Sequence, residues 1–167
     1  MSSIFSSVLT AFLVAAVVCT AANTCTTVYL HRALSHRALT LKPSVALLFR
    51  TVLWLSTGIK PKEWVAVHRK HHAFTDIEGD PHSPVLLGWK KVQAKNVALY
   101  RASVLDPTTI ERYAKDLPDD RWDKVFFGHN KTGLLSGVAI LMILLGPWTG
   151  LLAAFINANI YLAGNAA

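Results

Sequence analysis

The hydrophobic residues of this chain fall into two uncharged terminal blocks that flank a charged centre. Residues 1–30 and 132–167 contain no Lys, Arg, Asp or Glu, so all 17 basic and all 10 acidic side chains lie between Arg32 and Lys131. Charges are costly in hydrocarbon, and two apolar blocks around a basic centre are typical of a chain that inserts into a bilayer. The pattern predicts an all-α membrane protein in which transmembrane helices flank a charged helical region.

We interpret the chain as a single domain, and the lengths of the apolar blocks suggest how it is divided into segments. The apolar run from Ile4 to Leu30 can cross a hydrocarbon core of about 30 Å at about 1.5 Å per helical residue, so residues 1–30 are predicted to form a transmembrane helix. Because Lys and Arg stay on the cytoplasmic side, residues 31–131 are expected to be cytoplasmic and the N-terminus outside. The last block is interrupted at Gly146-Pro147, and its pattern alone allows either one kinked span or a hairpin of two short helices.

Five of the seven histidines form two compact clusters in the charged centre. The first is His31-Arg-Ala-Leu-Ser-His36, and the second, His68-Arg-Lys-His71-His72, begins 32 residues after His36. Such clustering predicts a metal site, with a proton relay as the alternative. Imidazole suits iron, zinc, copper and nickel alike, so the spacing alone does not choose the metal.

The spacing within each cluster indicates how the rings are arranged. His68, His71 and His72 stand at i, i+3 and i+4 and so share one face of a helix. His71 and His72 are about 100° apart around that helix, which suits two metal ions better than one. His31 and His36 are five residues apart, which is poor for one α-helical face. We expect them where the first helix ends, with the last turn unwound or the next helix starting there.

A third apolar stretch, residues 45–59, is short and carries Arg50. A central Arg opposes spanning by roughly 2.5 to 3.5 kcal/mol. A crossing here would also place the two histidine clusters on opposite sides of the membrane, where they could not share a site. We therefore predict an interfacial helix, with Lys42, Arg50 and Lys60 extending towards water.

The residues around the second cluster extend the pattern to a recognisable signature. Glu63-Trp64 precedes it, Asp76 follows it, and Asp80-Pro81-His82-Ser83-Pro84 comes next. Together with His-x4-His after an apolar helix, these motifs closely resemble the membrane-bound fatty acid desaturases, above all the bacterial Δ9 acyl-CoA or acyl-lipid desaturases. Membrane alkane hydroxylases and sterol or carotenoid oxygenases share only the histidine boxes.

The resemblance implies oxygen-dependent desaturation of a saturated fatty acyl chain at a non-haem di-iron centre, with O₂ as co-substrate. It implies a fatty acyl-CoA or acyl-lipid substrate, contact with membrane lipids, and an external electron donor of the ferredoxin, rubredoxin or cytochrome b5 type. It also makes residues 132–167 a membrane hairpin. Nucleic acid is not expected as a partner, because acidic residues interleave the basic ones and no nucleic-acid motif is visible. The iron ligands it implies are His31, His36, His68, His71 and His72.

The resemblance also assigns roles to residues outside the boxes, each with a simpler alternative. Asp76 and Asp80 would hydrogen-bond metal-bound imidazoles and fix their tautomers, or they are only carboxylates of an acidic loop. Trp64 would lie beside the bend of the acyl chain, or it is an interfacial aromatic anchor. His82 would orient the acyl headgroup, or it only closes a turn.

One departure from the family pattern concerns a third histidine box. Family members carry a further His-x2-His-His and an Asn or His ligand downstream, whereas no histidine follows His129 in this sequence. We therefore expect a truncated, N-terminal part of a desaturase domain whose activity in isolation is doubtful. The alternatives are a non-catalytic metal-binding membrane fragment and a membrane di-iron hydroxylase of the same superfamily.

Overall fold

The computed structural model describes residues 2–165, and all regular structure in this range is helical, with no β-strand. Met1 and residues 166–167, the extremes of the first and last predicted segments, lie outside the described residues. Several helices begin on a proline, which suits the first helical turn because its missing N–H is not needed there. The helices are α1 (Ser2–Cys25), continued by a π-helical segment (Thr26–Ser35), α2 (Pro43–Ser56), α3 (Pro61–Ala73), α4 (Pro84–Leu87), α5 (Trp89–Leu105), α6 (Pro107–Tyr113), a second π-helical segment (Asp123–Phe127), α7 (Asn130–Leu145) and α8 (Pro147–Gly164).

The first helix is longer than the sequence suggested, because it continues without a break past His31 and ends at Ser35, directly before His36. Within residues 2–165, Ser3–Ser35 is the one helical stretch whose length and composition would let it cross a bilayer. Helices α2 and α7 are apolar but shorter, with 14 and 16 residues. At about 1.5 Å per residue, α2 measures about 21 Å.

The last apolar block consists of two helices rather than one kinked helix. They meet at Gly146, whose φ of +84° is readily adopted only by glycine, and Pro147 starts the second helix. Helix α8 packs closely against α7, because a Cβ at Gly150 would lie only 2.5 Å from the Leu141 carbonyl oxygen. The absence of a side chain at this position therefore sets how near the two helices come.

Helix α8 also packs along α1, and small residues line much of the interface. Ala11, Ala15, Ala22 and Ala153 are almost fully buried. Small side chains let helix backbones approach closely, which strengthens packing where water provides little driving force. A hydrogen bond of 2.6 Å between the hydroxyls of Thr26 and Tyr161 also joins the π-helical continuation of α1 to α8.

The Arg50 guanidinium does not extend to water, contrary to the expectation from the sequence. It binds the Asp120 carboxylate at 2.6 Å and the Asp123 carboxylate at 2.5 Å, and it lies 4.5 Å from the centre of the Phe127 ring. Only 11% of the Arg50 side chain is exposed. The two carboxylates compensate the buried charge, and the contact fixes the loop before α7 against α2.

The contact between α2 and α7 should be sensitive to any added side chain at Gly137. A Cβ there would lie 2.1 Å from the Leu55 carbonyl oxygen, so the two backbones must move apart. We expect Gly137→Val to lower the free energy of unfolding by about 1 to 3 kcal/mol, as overpacking typically does. Gly164→Ala is the control, since nothing lies within 4 Å of a Cβ there. Equal unfolding transitions for the two variants, followed by circular dichroism, would contradict this packing.

Candidate metal centre

The end of the first long helix brings His31 and His36 together by changing its hydrogen-bond pattern. Thr26–Ser35 is π-helical, and the His36 backbone N–H donates to the His31 carbonyl five residues earlier at 3.0 Å. Side chains five residues apart then share a face, and the two ring centres are 4.5 Å apart. The first helix does end at this cluster, as expected, but its last turns are π-helical rather than unwound, and the π-helical repeat matches the spacing of the histidines.

Helix α3 presents two further imidazoles to the same place. His68 and His72 are one α-helical turn apart, and their Nε2 atoms are separated by 3.1 Å. The ring of His31 lies 4.9 Å from that of His68, and the ring of His36 lies 4.9 Å from that of His72. One candidate ligand atom from each of these four residues lies within 4.8 Å of all the others.

These four side chains have the chemistry that a metal ion requires. Nitrogen ligands at about 2 Å from one ion lie at most about 4 Å from one another, so only a small inward movement is needed. Burial, followed by the neighbouring imidazoles, lowers the pKa of His68 to about 3, and the same causes lower the pKa of His72. Both rings are therefore neutral at pH 7 and offer a lone pair. The cluster of His31, His36, His68 and His72 could hold a metal ion.

His71 belongs to a second, adjacent group. Its Nδ1 lies 2.9 Å from a carboxylate oxygen of Asp80, and the ring of His82 stacks on it at 4.5 Å. The candidate ligand atoms of these three residues also lie within 4.8 Å of one another, so this group could hold an ion as well. The His71 and His72 rings are 5.6 Å apart, so the two groups are neighbours.

Within this second group, the Asp80 carboxylate is held firmly in place. Its side chain is fully buried, and it accepts hydrogen bonds from the backbone N–H groups of Asp76 and His82 as well as from His71. Burial alone would raise the pKa of Asp80, but these hydrogen bonds outweigh it and the pKa is lowered. A carboxylate held in this way keeps a proton on His71 Nδ1, so that the lone pair of His71 Nε2 is available to a metal ion.

The remaining predicted site residues lie near these groups in different ways. Trp64 stacks on the His68 ring, with the two ring centres 4.5 Å apart and an angle of 17° between the ring planes. The Asp76 carboxylate accepts a hydrogen bond from the Ser83 hydroxyl rather than from an imidazole. His82 Nδ1 is buried and has no hydrogen-bond partner among the described residues. The functional roles of these three residues stay predictions.

Sequence reasoning missed the side chains that hold α3 in place. Arg69 and Lys70 lie between the candidate ligands, and they bind Asp116 and Asp106 on either side of α6. Lys70 also donates to the Thr109 hydroxyl at 3.0 Å. The only signal in the sequence was their position inside the histidine cluster, which does not reveal partners 36 or more residues away.

Comparisons with known proteins place this site in a family. The family model described as fatty acid desaturase matches residues 7–166. The delta-9 desaturase-like 2 protein of Arabidopsis thaliana is 40% identical over 67 residues, which are 40% of this chain and 22% of that protein. The sn-1 stearoyl-lipid 9-desaturase of Synechocystis sp. is 27% identical over 118 residues, which are 71% of this chain and 36% of that protein.

The chain thus spans well under half the length of these curated relatives. No solved structure matches it. The match to the family model nevertheless extends over nearly all of the sequence and includes both histidine clusters. The chain therefore belongs to the fatty acid desaturase family.

Proposed function

We propose that this chain supplies the first two histidine boxes of a membrane-bound desaturase, which introduces a double bond into a saturated fatty acyl chain with O₂ as co-substrate. The convergence of four imidazoles from two distant segments, in a chain of the fatty acid desaturase family, carries the proposal. A di-iron centre would draw one set of ligands from the four-histidine cluster. His71, oriented by Asp80, would serve the second iron.

The chemistry of the substrate indicates which roles would fall to the bound iron and which to the protein side chains. Bound iron would supply the oxidising power needed at unactivated C–H bonds, which acid–base side chains cannot attack. The residues of this chain hold and orient that centre. Asp80 fixes the tautomer of His71, and the stacked indole of Trp64 restricts rotation of the His68 ring. Trp64 is also suited to line the acyl chain, and His82 is suited to face the headgroup.

The substrate class and the partners follow from the family rather than from the site. Two relatives are named as a stearoyl-lipid 9-desaturase and a delta-9 acyl-lipid desaturase. We accordingly propose a saturated fatty acyl-CoA or acyl-lipid as substrate, with Δ9 as the position of the double bond. Reduction of O₂ to water also needs electrons, for which we propose an external ferredoxin, rubredoxin or cytochrome b5.

The exposed surface of the long helices supports a membrane location. Ile143, Trp148 and Phe155 on α7 and α8 are 81%, 85% and 66% exposed, and Val17 on α1 is 70% exposed. So large an apolar surface is unfavourable in water and suits lipid. We propose that α1 and the α7–α8 hairpin are embedded, that α2 lies in the interface, and that residues 31–131 face the cytoplasm.

The proposed activity can be tested in a host that lacks its own Δ9 desaturase. Expression of the full-length gene product should yield monounsaturated acyl chains in the host lipids, measured by gas chromatography. His36→Ala and His72→Ala should abolish the product, because each would remove a metal ligand. His129→Ala should retain it, since this residue uses its backbone carbonyl to bind Trp54. Hydroxylated acyl chains in place of alkenes, or full activity of His36→Ala, would refute the proposal.

The proposed orientation can be tested by labelling single cysteines in intact cells. In a background without the native Cys19 and Cys25, a membrane-impermeant maleimide should label Trp148→Cys at the outer end of the hairpin. Glu78→Cys and Val125→Cys should react only after the cells are opened, because both would lie in the cytoplasm. Labelling of Glu78→Cys in intact cells would show that the orientation is wrong.

A further inference from the structure

The Arg69 side chain connects three segments of the protein and uses all of its donors to do so. Its Nε donates to the Ser35 carbonyl at 3.2 Å, and one Nη2 proton goes to the Leu34 carbonyl at 2.7 Å. Nη1 donates to the Tyr113 carbonyl at 2.9 Å. The remaining two N–H groups bind the Asp116 carboxylate at 2.6 and 3.2 Å. The five donors of the guanidinium thus meet five acceptor contacts.

The two carbonyls at Leu34 and Ser35 belong to the last turn of the π-helical segment. Carbonyls at a helix end have no partner within the helix and need one from elsewhere. His36 follows Ser35 directly, and Arg69 itself follows His68 directly. A single side chain therefore joins the backbone beside one histidine pair to the helix that carries the other pair.

Asp116 secures the guanidinium from the opposite side. The hydrogen bonds from Arg69 hold the pKa of Asp116 well below its usual range. Arg37, next to His36, also binds Asp116, but 68% of its side chain is exposed, compared with 20% for Arg69. The Arg69 contacts are thus the better shielded part of this network, and their loss would leave three partly buried carbonyl groups without this donor.

We propose that Arg69 is a positioning residue of the metal centre, which sets the separation between the pair His31/His36 and the pair His68/His72. The inference rests on the proposed function in that the four imidazoles bind a metal. Arg69 contributes no ligand atom and acts only through the backbone next to the ligands. Lysine cannot replace it, because one ammonium group cannot reach the acceptors at Leu34 and Ser35 and those at Tyr113 and Asp116 in the geometry of a planar guanidinium.

The first test is a titration of the detergent-solubilised chain with Co²⁺, followed by its d–d absorption. Arg69→Ala and Arg69→Lys should both weaken binding by on the order of 10- to 100-fold, as loss of outer-shell support typically does, and should alter the band shape. Arg37→Ala is the matched control, because it removes a positive charge from Asp116 but touches neither carbonyl, and it should bind Co²⁺ as the wild type does. Wild-type affinity in Arg69→Lys, or an equal loss in Arg37→Ala, would overturn the proposal.

A second readout needs no metal. Hydrogen exchange of the amides of residues 34–38 should be faster in Arg69→Lys than in the wild type or Arg37→Ala, because the end of the π-helical segment is no longer held. If the wild-type chain binds no Co²⁺, the proposed metal centre fails, while the exchange rates still decide whether Arg69 holds this segment. Unchanged exchange in both Arg69 variants would refute the positioning role.

Discussion

Imidazoles that share a metal ion must converge to within about 4 Å, although here they come from two segments of the chain. Each segment brings its own histidines close to this limit with a helical repeat that matches their spacing. The π-helical repeat joins His31 to His36, and the α-helical repeat joins His68 to His72. The packing of these two helices against each other then creates the four-histidine cluster. Ion pairs of Arg69 with Asp116 and of Lys70 with Asp106 hold α3 against the residues that flank α6.

The apolar helices form the support from which both clusters project. Helix α1 leads into the π-helical segment that carries the first cluster. Small residues pack α1 against α8, and the Thr26–Tyr161 hydrogen bond joins the π-helical segment to α8. Helix α2 lies between the two clusters in the sequence, and its buried Arg50 binds Asp120 and Asp123 in the segment that leads into α7. Polar contacts between distant segments thus fix the relative positions of helices whose apolar faces alone would allow sliding.

Local patterns in the sequence predicted the features that depend on local periodicity. The helical character, the break at Gly146 and the divergence of His71 from His72 all follow from residue spacing or from the angle between neighbouring helical residues. The π-helical segment could not be predicted, because few sequence signals distinguish it from an α-helix. The Arg50–Asp120 and Arg69–Asp116 pairs join residues 70 and 47 positions apart, and no periodicity relates residues so far apart.

X-ray absorption spectroscopy of the chain loaded with one equivalent of Fe²⁺ would reveal whether the four-histidine cluster binds the ion, because imidazole rings give a characteristic scattering pattern. We expect about four imidazoles per ion in the wild type, as the four-histidine cluster provides. We expect one fewer in His36→Ala and an unchanged number in His71→Ala, whose ring belongs to the neighbouring group. A lower number in His71→Ala together with an unchanged number in His36→Ala would contradict the assignment of the two groups.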